Sequence, residues 1–316
     1  MADSSIQAVV LDASKPDRFV IRDIPSPLAL ANQAVVRVKA ISLNRGEVRR
    51  SMTAPDGHRP GWDFAGIVEQ PAADGSGPKA GSCVVGLLNT GSWSQLVAAP
   101  TLAIAPIADN VKFSQAATLP VAGLTALHSL YKGGLMLGKS VLITGATGGT
   151  GDFACQLAKL AGAKVVATIR SPDREAFVKS LGVDHVVIGD DPSPAANFGP
   201  YQLIIDSVGG PHFGKVLAML GVGGTHVIFG TTGGAEPTIN ASKFYSTGGV
   251  TLYGLIIFHE LQHESPSIGL KKLADLVSAG KLVPHIELET SWRNVAEVAK
   301  NLMDRKFAGK AVLTLD

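Results

Sequence analysis

The sequence is poor in cysteine, in charge and in long apolar runs. Only Cys83 and Cys155 occur in 316 residues, and they form neither a C-x-x-C pair nor an even-numbered framework. This argues against a disulfide scaffold and a thiolate zinc site, and fits a reducing cytoplasm. Charged residues make up 17% of the chain against 46% hydrophobic ones, far from the composition that keeps chains disordered. Lys plus Arg number 28 and Asp plus Glu 26, leaving a net +2, which argues against nucleic acid as a partner. No stretch approaches the roughly 20 uninterrupted apolar residues of a spanning helix, and MADSSIQAVVLD has no basic region before an apolar core. The expectation is a soluble, cytoplasmic chain with no membrane partner.

Glycine, by contrast, is abundant at 36 residues, and glycine accumulates where backbone turns sharply or approaches a ligand. The first hundred or so residues read as short extended runs, IQAVVL, FVIRDI, AVVRVKAIS, AGIVEQ, SCVVGLL and SQLVAA, punctuated by proline. From Ser114, SQAATLPVAGLTALHSLYKGG has apolar residues at helical spacing around Pro120, with Gly133-Gly134 as a stop. Strand and helix then alternate through KSVLITGA, GDFACQLAKLAGA, KVVATI, PDREAFVKSLG, DHVVIGD, QLIIDSVGG, FGKVLAMLG and THVIFG. Such alternation predicts a doubly wound parallel sheet with helices on both faces. Two helices, IGLKKLADLVSAGK and WRNVAEVAKNLMDRKF, and a strand, KAVLTL, close the chain.

The segment SVLITGATGGTGDFACQLAK places Gly145, Thr147, Gly148, Gly149, Thr150 and Gly151 between a buried strand and a helix. That is the context of a dinucleotide-binding turn, although the spacing is G-x-x-G-x-x-G rather than G-x-G-x-x-G. Missing side chains let backbone N–H groups approach a pyrophosphate, which faces the positive end of the helix. The next strand ends in Ile169, Arg170 and Ser171, with Arg174 beyond, where an NAD-preferring site offers a carboxylate to the ribose. Guanidinium groups and a hydroxyl there suit a ribose phosphate, so NADPH is expected over NADH.

These segments, with AISLNRGEVRR, RPGWDFAGIVE, TLPVAGLTALHSL, LIIDSVGG and FAGKAVLTL, resemble the medium-chain dehydrogenase/reductase superfamily, in its zinc-free quinone oxidoreductase branch. The resemblance implies a GroES-like β-rich catalytic domain over 1–119 and 260–316, and a Rossmann dinucleotide-binding domain over 120–259, with the active cleft between them. It also implies that Asn44 stands at a zinc-ligand Cys position and Trp62-Asp63 at a His-Glu pair, so no catalytic zinc is expected. Hydride transfer to a quinone or an α,β-unsaturated carbonyl needs less help from a Lewis acid than alcohol oxidation does. By the same resemblance, Asn44 borders the nicotinamide and offers its amide to a carbonyl oxygen. Thr125 lies near the nicotinamide ribose, and Val208, Gly209, Phe229 and Gly230 flank the cofactor. Arg49 stands where relatives often carry a tyrosine, and is a candidate to stabilise a developing enolate.

Other readings compete. An enoyl thioester reductase of the same superfamily and a non-catalytic NADPH-binding sensor fit the same motifs. His259-Glu260-Leu261-Gln262-His263 spells H-E-x-x-H, the zinc metalloprotease pattern, but follows a strand-like run and precedes Pro266. Finally, VTLYGLII reads as a strand apolar on both faces, and by resemblance such a strand pairs across a twofold to give a homodimer.

Overall fold

A computed structural model describes residues 5–315. The chain divides into two compact units, Met1–Leu124 with Leu261–Asp316, and Thr125–Glu260. The first holds strands β1 (Ser5–Leu11), β2 (Phe19–Pro25), β3 (Gln33–Ser42), β4 (Asp63–Gln70), β5 (Cys83–Leu87), β6 (Leu96–Pro100) and β7 (Ile104–Pro106). The second holds β8 (Ser140–Thr144), β9 (Lys164–Ile169), β10 (His185–Ile188), β11 (Tyr201–Asp206), β12 (Leu220–Ile228) and β13 (Thr251–Gly254). The chain then returns to the first unit with β14 (Ile286–Ser291) and β15 (Lys310–Thr314).

In the first unit β1 and β2 form an antiparallel hairpin, and the larger sheet runs β14-β15-β3-β4-β5-β7, with β6 also on β3. The ten residues of β3 are long enough to take β6 along Gln33–Arg37 and β15 along Ala40–Ser42. Ala34, Val36 and Val38 point into the core, and Val35 and the consecutive Ala40, Ile41 and Ser42 are buried as well, so this central strand is largely covered on both faces. Ala34, Val36 and Val38 pack with the fully buried Phe64, Trp93 and Trp292 in one core. Each large apolar side chain so removed from water contributes about 1.5–3 kcal/mol.

The second unit is one six-stranded sheet in the order β10-β9-β8-β11-β12-β13, with every neighbouring pair parallel. This order reverses direction between β8 and β11, which is the switch point where doubly wound sheets bind ligands beyond their strand ends. Continuous apolar runs such as Val141, Leu142 and Ile143 are fully buried, as strands covered on both faces require. The fold is therefore mixed α/β, a Rossmann-type parallel sheet plus a separate β-rich sheet.

The helical stretch from Ser114 is built from three pieces: an α-helix over Phe113–Ala117, a wide π turn over Leu119–Gly123, and an α-helix over Leu124–Tyr131. Pro120 has no N–H to donate, and the widened turn accommodates that loss. Among the described residues no helix is long and apolar enough to cross a membrane.

Candidate functional site

The glycine-rich turn joins β8 to the helix Gly149–Leu160, at the switch point of the parallel sheet. Gly145 has φ +63°, and a Cβ there would meet Ser207 Oγ at 2.4 Å. At Gly151 a Cβ would lie 2.3 Å from the Gly145 carbonyl oxygen and 2.7 Å from Ala146 Cα. These two positions tolerate no side chain, so the helix start rests directly on the turn. Gly148 serves as the N-cap in extended conformation without a side-chain cap, and Thr147, Gly149 and Thr150 are half-buried beside it. The N–H groups that open this twelve-residue helix have no partners within it, an arrangement suited to phosphate. Asp152, which carries charge into this helix start, is buried and accepts a hydrogen bond from Gln156 Nε2 at 2.8 Å.

Val208 and Gly209 follow β11, and Phe229 and Gly230 follow β12, so both pairs lie at the same carboxyl end of the sheet as the glycine turn. The Phe229 N–H donates to the Asp206 carbonyl, and the Gly233 N–H to that of Val208. Thr125 is buried in its helix, and its carbonyl accepts from Ser129 Oγ at 2.7 Å. At the end of β9, Arg170 is exposed and Arg174 half-buried. Ser171 caps a short 3-10 turn, and its hydroxyl donates to Asp173 Oδ2 at 3.0 Å. Asp173 is an exposed carboxylate in that same turn, opposite in charge to Arg170 and Arg174.

In the first unit Asn44 begins the helix Arg45–Ser51 and lies in a buried polar cluster. Lys310 Nζ donates to Asn44 Oδ1 at 2.6 Å and to the Leu43 carbonyl at 3.1 Å, and is 3.5 Å from Asp63 Oδ2. Asn44 Nδ2 in turn donates to Asp63 Oδ2 at 2.8 Å and to Glu47 Oε1 at 3.0 Å. The ammonium on one side and two carboxylates on the other fix which end of the amide is oxygen. Both amide hydrogens of Asn44 are thus engaged inside its own unit, so the expected offer of this amide to a carbonyl oxygen would break one of these bonds. The N–H groups of Asn44 and Trp62 also reach Glu47, and that of Val121 reaches Asp63.

Glu47, Asp63 and Lys310 are 2%, 0% and 3% exposed. Burial, reinforced by the Asp63 charge, pushes the Glu47 carboxyl well above the usual carboxylate range. Burial also raises Asp63 against the pull of Lys310, and lowers Lys310 against the pull of both carboxylates. Lys310 lies in FAGKAVLTL but is not among the expected site residues. Its only signal in the sequence is a charge opening the apolar strand KAVLTL. Arg49, on the last turn of the same helix, is exposed.

The H-E-x-x-H string does not form a metal-binding helix. Its helix covers only Ile257–Glu260, and His263 lies in the turn that follows, across the boundary between units. Glu260 is buried and accepts from Lys132 Nζ at 2.7 Å and from the Tyr253 hydroxyl. Among the described residues no group of three or more His, Cys, Asp or Glu is placed to hold a metal ion.

A parallel sheet in Rossmann order, a glycine turn at its switch point and a separate β-rich unit define a dinucleotide-dependent oxidoreductase. Residues 149–275 match the family described as "Zinc-binding dehydrogenase", a segment that excludes Asn44, Trp62, Asp63 and Lys310. The chain is 27% identical to the putative quinone oxidoreductase YhfP of Bacillus subtilis (strain 168), over 81% of this chain and 80% of the relative. It is 26% identical to the quinone oxidoreductase of Pongo abelii, over 93% of this chain and 92% of the relative. The solved structure of the quinone oxidoreductase from Coxiella burnetii superposes with a TM-score of 0.83 at 27% identity, covering 99% of this chain and 100% of that one. The chain belongs to the medium-chain dehydrogenase/reductase superfamily, in its quinone oxidoreductase branch. It is an oxidoreductase, and its fold implies a nicotinamide cofactor.

Proposed function

We propose that this chain is an NADPH-dependent reductase that passes hydride to a quinone or an α,β-unsaturated carbonyl without a metal. The glycine cradle carries the cofactor assignment, because an added Cβ at Gly145 or Gly151 would fill the space against the strand end. When bound there, the dihydronicotinamide would supply the hydride. Thr147, Gly148, Gly149 and Thr150 would hold the phosphates, with Thr125, Val208, Gly209, Phe229 and Gly230 completing the site. Arg170, Ser171 and Arg174 favour the 2′-phosphate by charge, against the opposing carboxylate of Asp173.

Zinc independence is supported by the donor set. Asn44, Trp62 and Asp63 stand where the resemblance places zinc ligands, and an indole is no metal ligand. A protein ammonium, Lys310, already balances Asp63 and engages Asn44 Oδ1. A dication held by Asn44 and Asp63 would sit beside this ammonium and be repelled by it. On the acceptor side, the exposed guanidinium of Arg49 is the group we assign to stabilising a developing enolate. An enoyl thioester shares this electronic demand and belongs in the acceptor set. Two free cysteines support a cytoplasmic location.

The test is a fluorescence titration of NADPH and NADH, followed by NADPH consumption with a panel of quinones, enones and enoyl thioesters before and after chelation. Tighter NADPH binding, about tenfold weakened by Arg170→Ala with NADH unaffected, is the expected result. Equal affinities would overturn the NADPH assignment, and loss of turnover on chelation would overturn the metal-free one.

A further inference from the structure

The carboxyl end of the parallel sheet is held together by one buried carboxylate. Asp206, at the end of β11, is 0% exposed. Its Oδ1 accepts from Thr144 Oγ1 at 2.5 Å, from the Val208 N–H at 2.8 Å and from the Gly209 N–H at 3.3 Å. Thr144 is the last residue of β8, immediately before Gly145, so this one oxygen joins the glycine turn to the loop after β11. Thr144 Oγ1 also accepts from the Ser207 N–H at 3.1 Å, and Ser207 Oγ donates back to the Thr144 carbonyl at 3.1 Å. The other carboxylate oxygen, Oδ2, lies 3.1 Å from His226 Nε2 on β12.

His226 is itself fully buried and stacked on Phe213, with ring centroids 4.6 Å apart. Its Nδ1 is buried without a hydrogen-bond partner. An unpartnered acceptor costs less than an unpartnered N–H, so the proton is assigned to Nε2, which donates to Asp206. Burial alone would raise the Asp206 carboxyl, but the hydrogen bonds from His226, Thr144 and Val208 outweigh it and hold the group below its ordinary value. Packing on the opposite side of this network leaves little slack: a Cβ on Gly230 would lie 2.8 Å from the Ser207 carbonyl oxygen.

We propose that Asp206 is a positioning residue for the cofactor, fixing the glycine turn and the Val208–Gly209 loop as one preformed surface, with His226 as the group that orients Asp206. Asp206 lies in the LIIDSVGG segment, but neither it nor His226 is marked as a site residue by the sequence, and Asp206 need not touch the cofactor to act. The inference rests on the reading of this unit as the NADPH-binding one. It adds that the affinity depends on a carboxylate beneath the surface as well as on the glycines above it.

The experiment measures NADPH Kd by fluorescence, with circular dichroism and thermal melting on the same samples, for the full chain and for Asp206→Ala, Asp206→Asn and Thr144→Val. Titrations are run well below each melting point, where lost stability alone does not move Kd. Asp206→Ala is expected to weaken NADPH at least tenfold. Asp206→Asn keeps an oxygen toward Thr144, Val208 and Gly209 but turns its amide N–H groups toward the His226 Nε2–H, and is expected to weaken NADPH by about threefold to tenfold, less than Asp206→Ala. Thr144→Val keeps the shape but cuts the link between the two loops, and an intermediate loss of about threefold to tenfold is expected. If Asp206→Ala fails to fold, Thr144→Val carries the test. Folded variants with the parent's Kd would overturn the proposal even if their melting points fell. Absence of NADPH binding to the parent chain would instead overturn the underlying reading.

Discussion

At the residue scale, the least ordinary feature is an ammonium and two carboxylates enclosed together in the first unit. Removing one member of a buried charge set leaves the others without compensation and costs about 3–5 kcal/mol. Lys310→Met should therefore destabilise the chain by about that amount at pH 8. In this variant Asp63 and Glu47 lose the cation that lowers them, so their carboxyl pKa values rise further above those of the unfolded chain. The folded state then binds more protons than the unfolded one, and stability falls as pH increases through the raised values. Urea unfolding should show a smaller deficit at pH 5 than at pH 8, and an equal deficit at both would contradict this account of the cluster. A second residue contrast concerns the glycine turn. Gly151→Ala forces a Cβ to 2.3 Å from backbone, whereas Gly148→Ala meets its nearest neighbour at 3.4 Å. The first should cost about 1–3 kcal/mol in a melting experiment and abolish measurable NADPH binding, and the second less than about 1 kcal/mol.

At the scale of elements, the segment after β13 is anchored by Glu260, which ties Lys132, in the turn after the helix Leu124–Tyr131, to Tyr253 on β13. Lys132 also lies 4.2 Å from the centroid of the Tyr253 ring. Its side chain is 27% exposed, so the loss on Glu260→Ala should be moderate, about 1–3 kcal/mol in thermal unfolding. Chelator should leave both the parent and the variant unchanged, whereas a zinc site at the H-E-x-x-H string would make the parent's melting point chelator-sensitive. The same scale shows what could be read in advance. Strands β1 to β6 and β8 to β12 announce themselves because burial demands apolar alternation or apolar runs. In contrast β14, IELETS, is half-exposed and carries Glu287 and Glu289, so its pairing with β15 has no hydrophobic signature. The glycine turn was legible because backbone geometry there admits no other residue at two positions. The Lys310 cluster was not, since residues 44, 63 and 310 meet only through the register of three strands, Val312 against Ser42 and Ser42 against Asp63. Asp206 and His226 were hidden for the same reason, as polar residues inside apolar runs whose partners lie on neighbouring strands.

At the scale of the whole molecule, the parallel sheet ends on β13, which has a neighbour on one side only. Edge strands present unpaired N–H and C=O groups, and monomeric proteins protect them with charge, proline or bulges. Here the four residues Thr251–Gly254 carry no charge and no proline, and Leu252 and the following Ile256 are 44% and 68% exposed. A second copy supplies both requirements at once. Antiparallel pairing of β13 with its own twofold mate would satisfy the edge and remove these apolar side chains from water. The expectation is a homodimer, seen by sedimentation at micromolar concentration as twice the mass of the chain. Leu252→Lys would place an ammonium at the centre of that contact, and should shift the population to monomer while leaving NADPH affinity within about threefold. A parent chain that sediments as a monomer would leave this edge without its proposed partner, and a dimer indifferent to Leu252→Lys would place the contact on another surface.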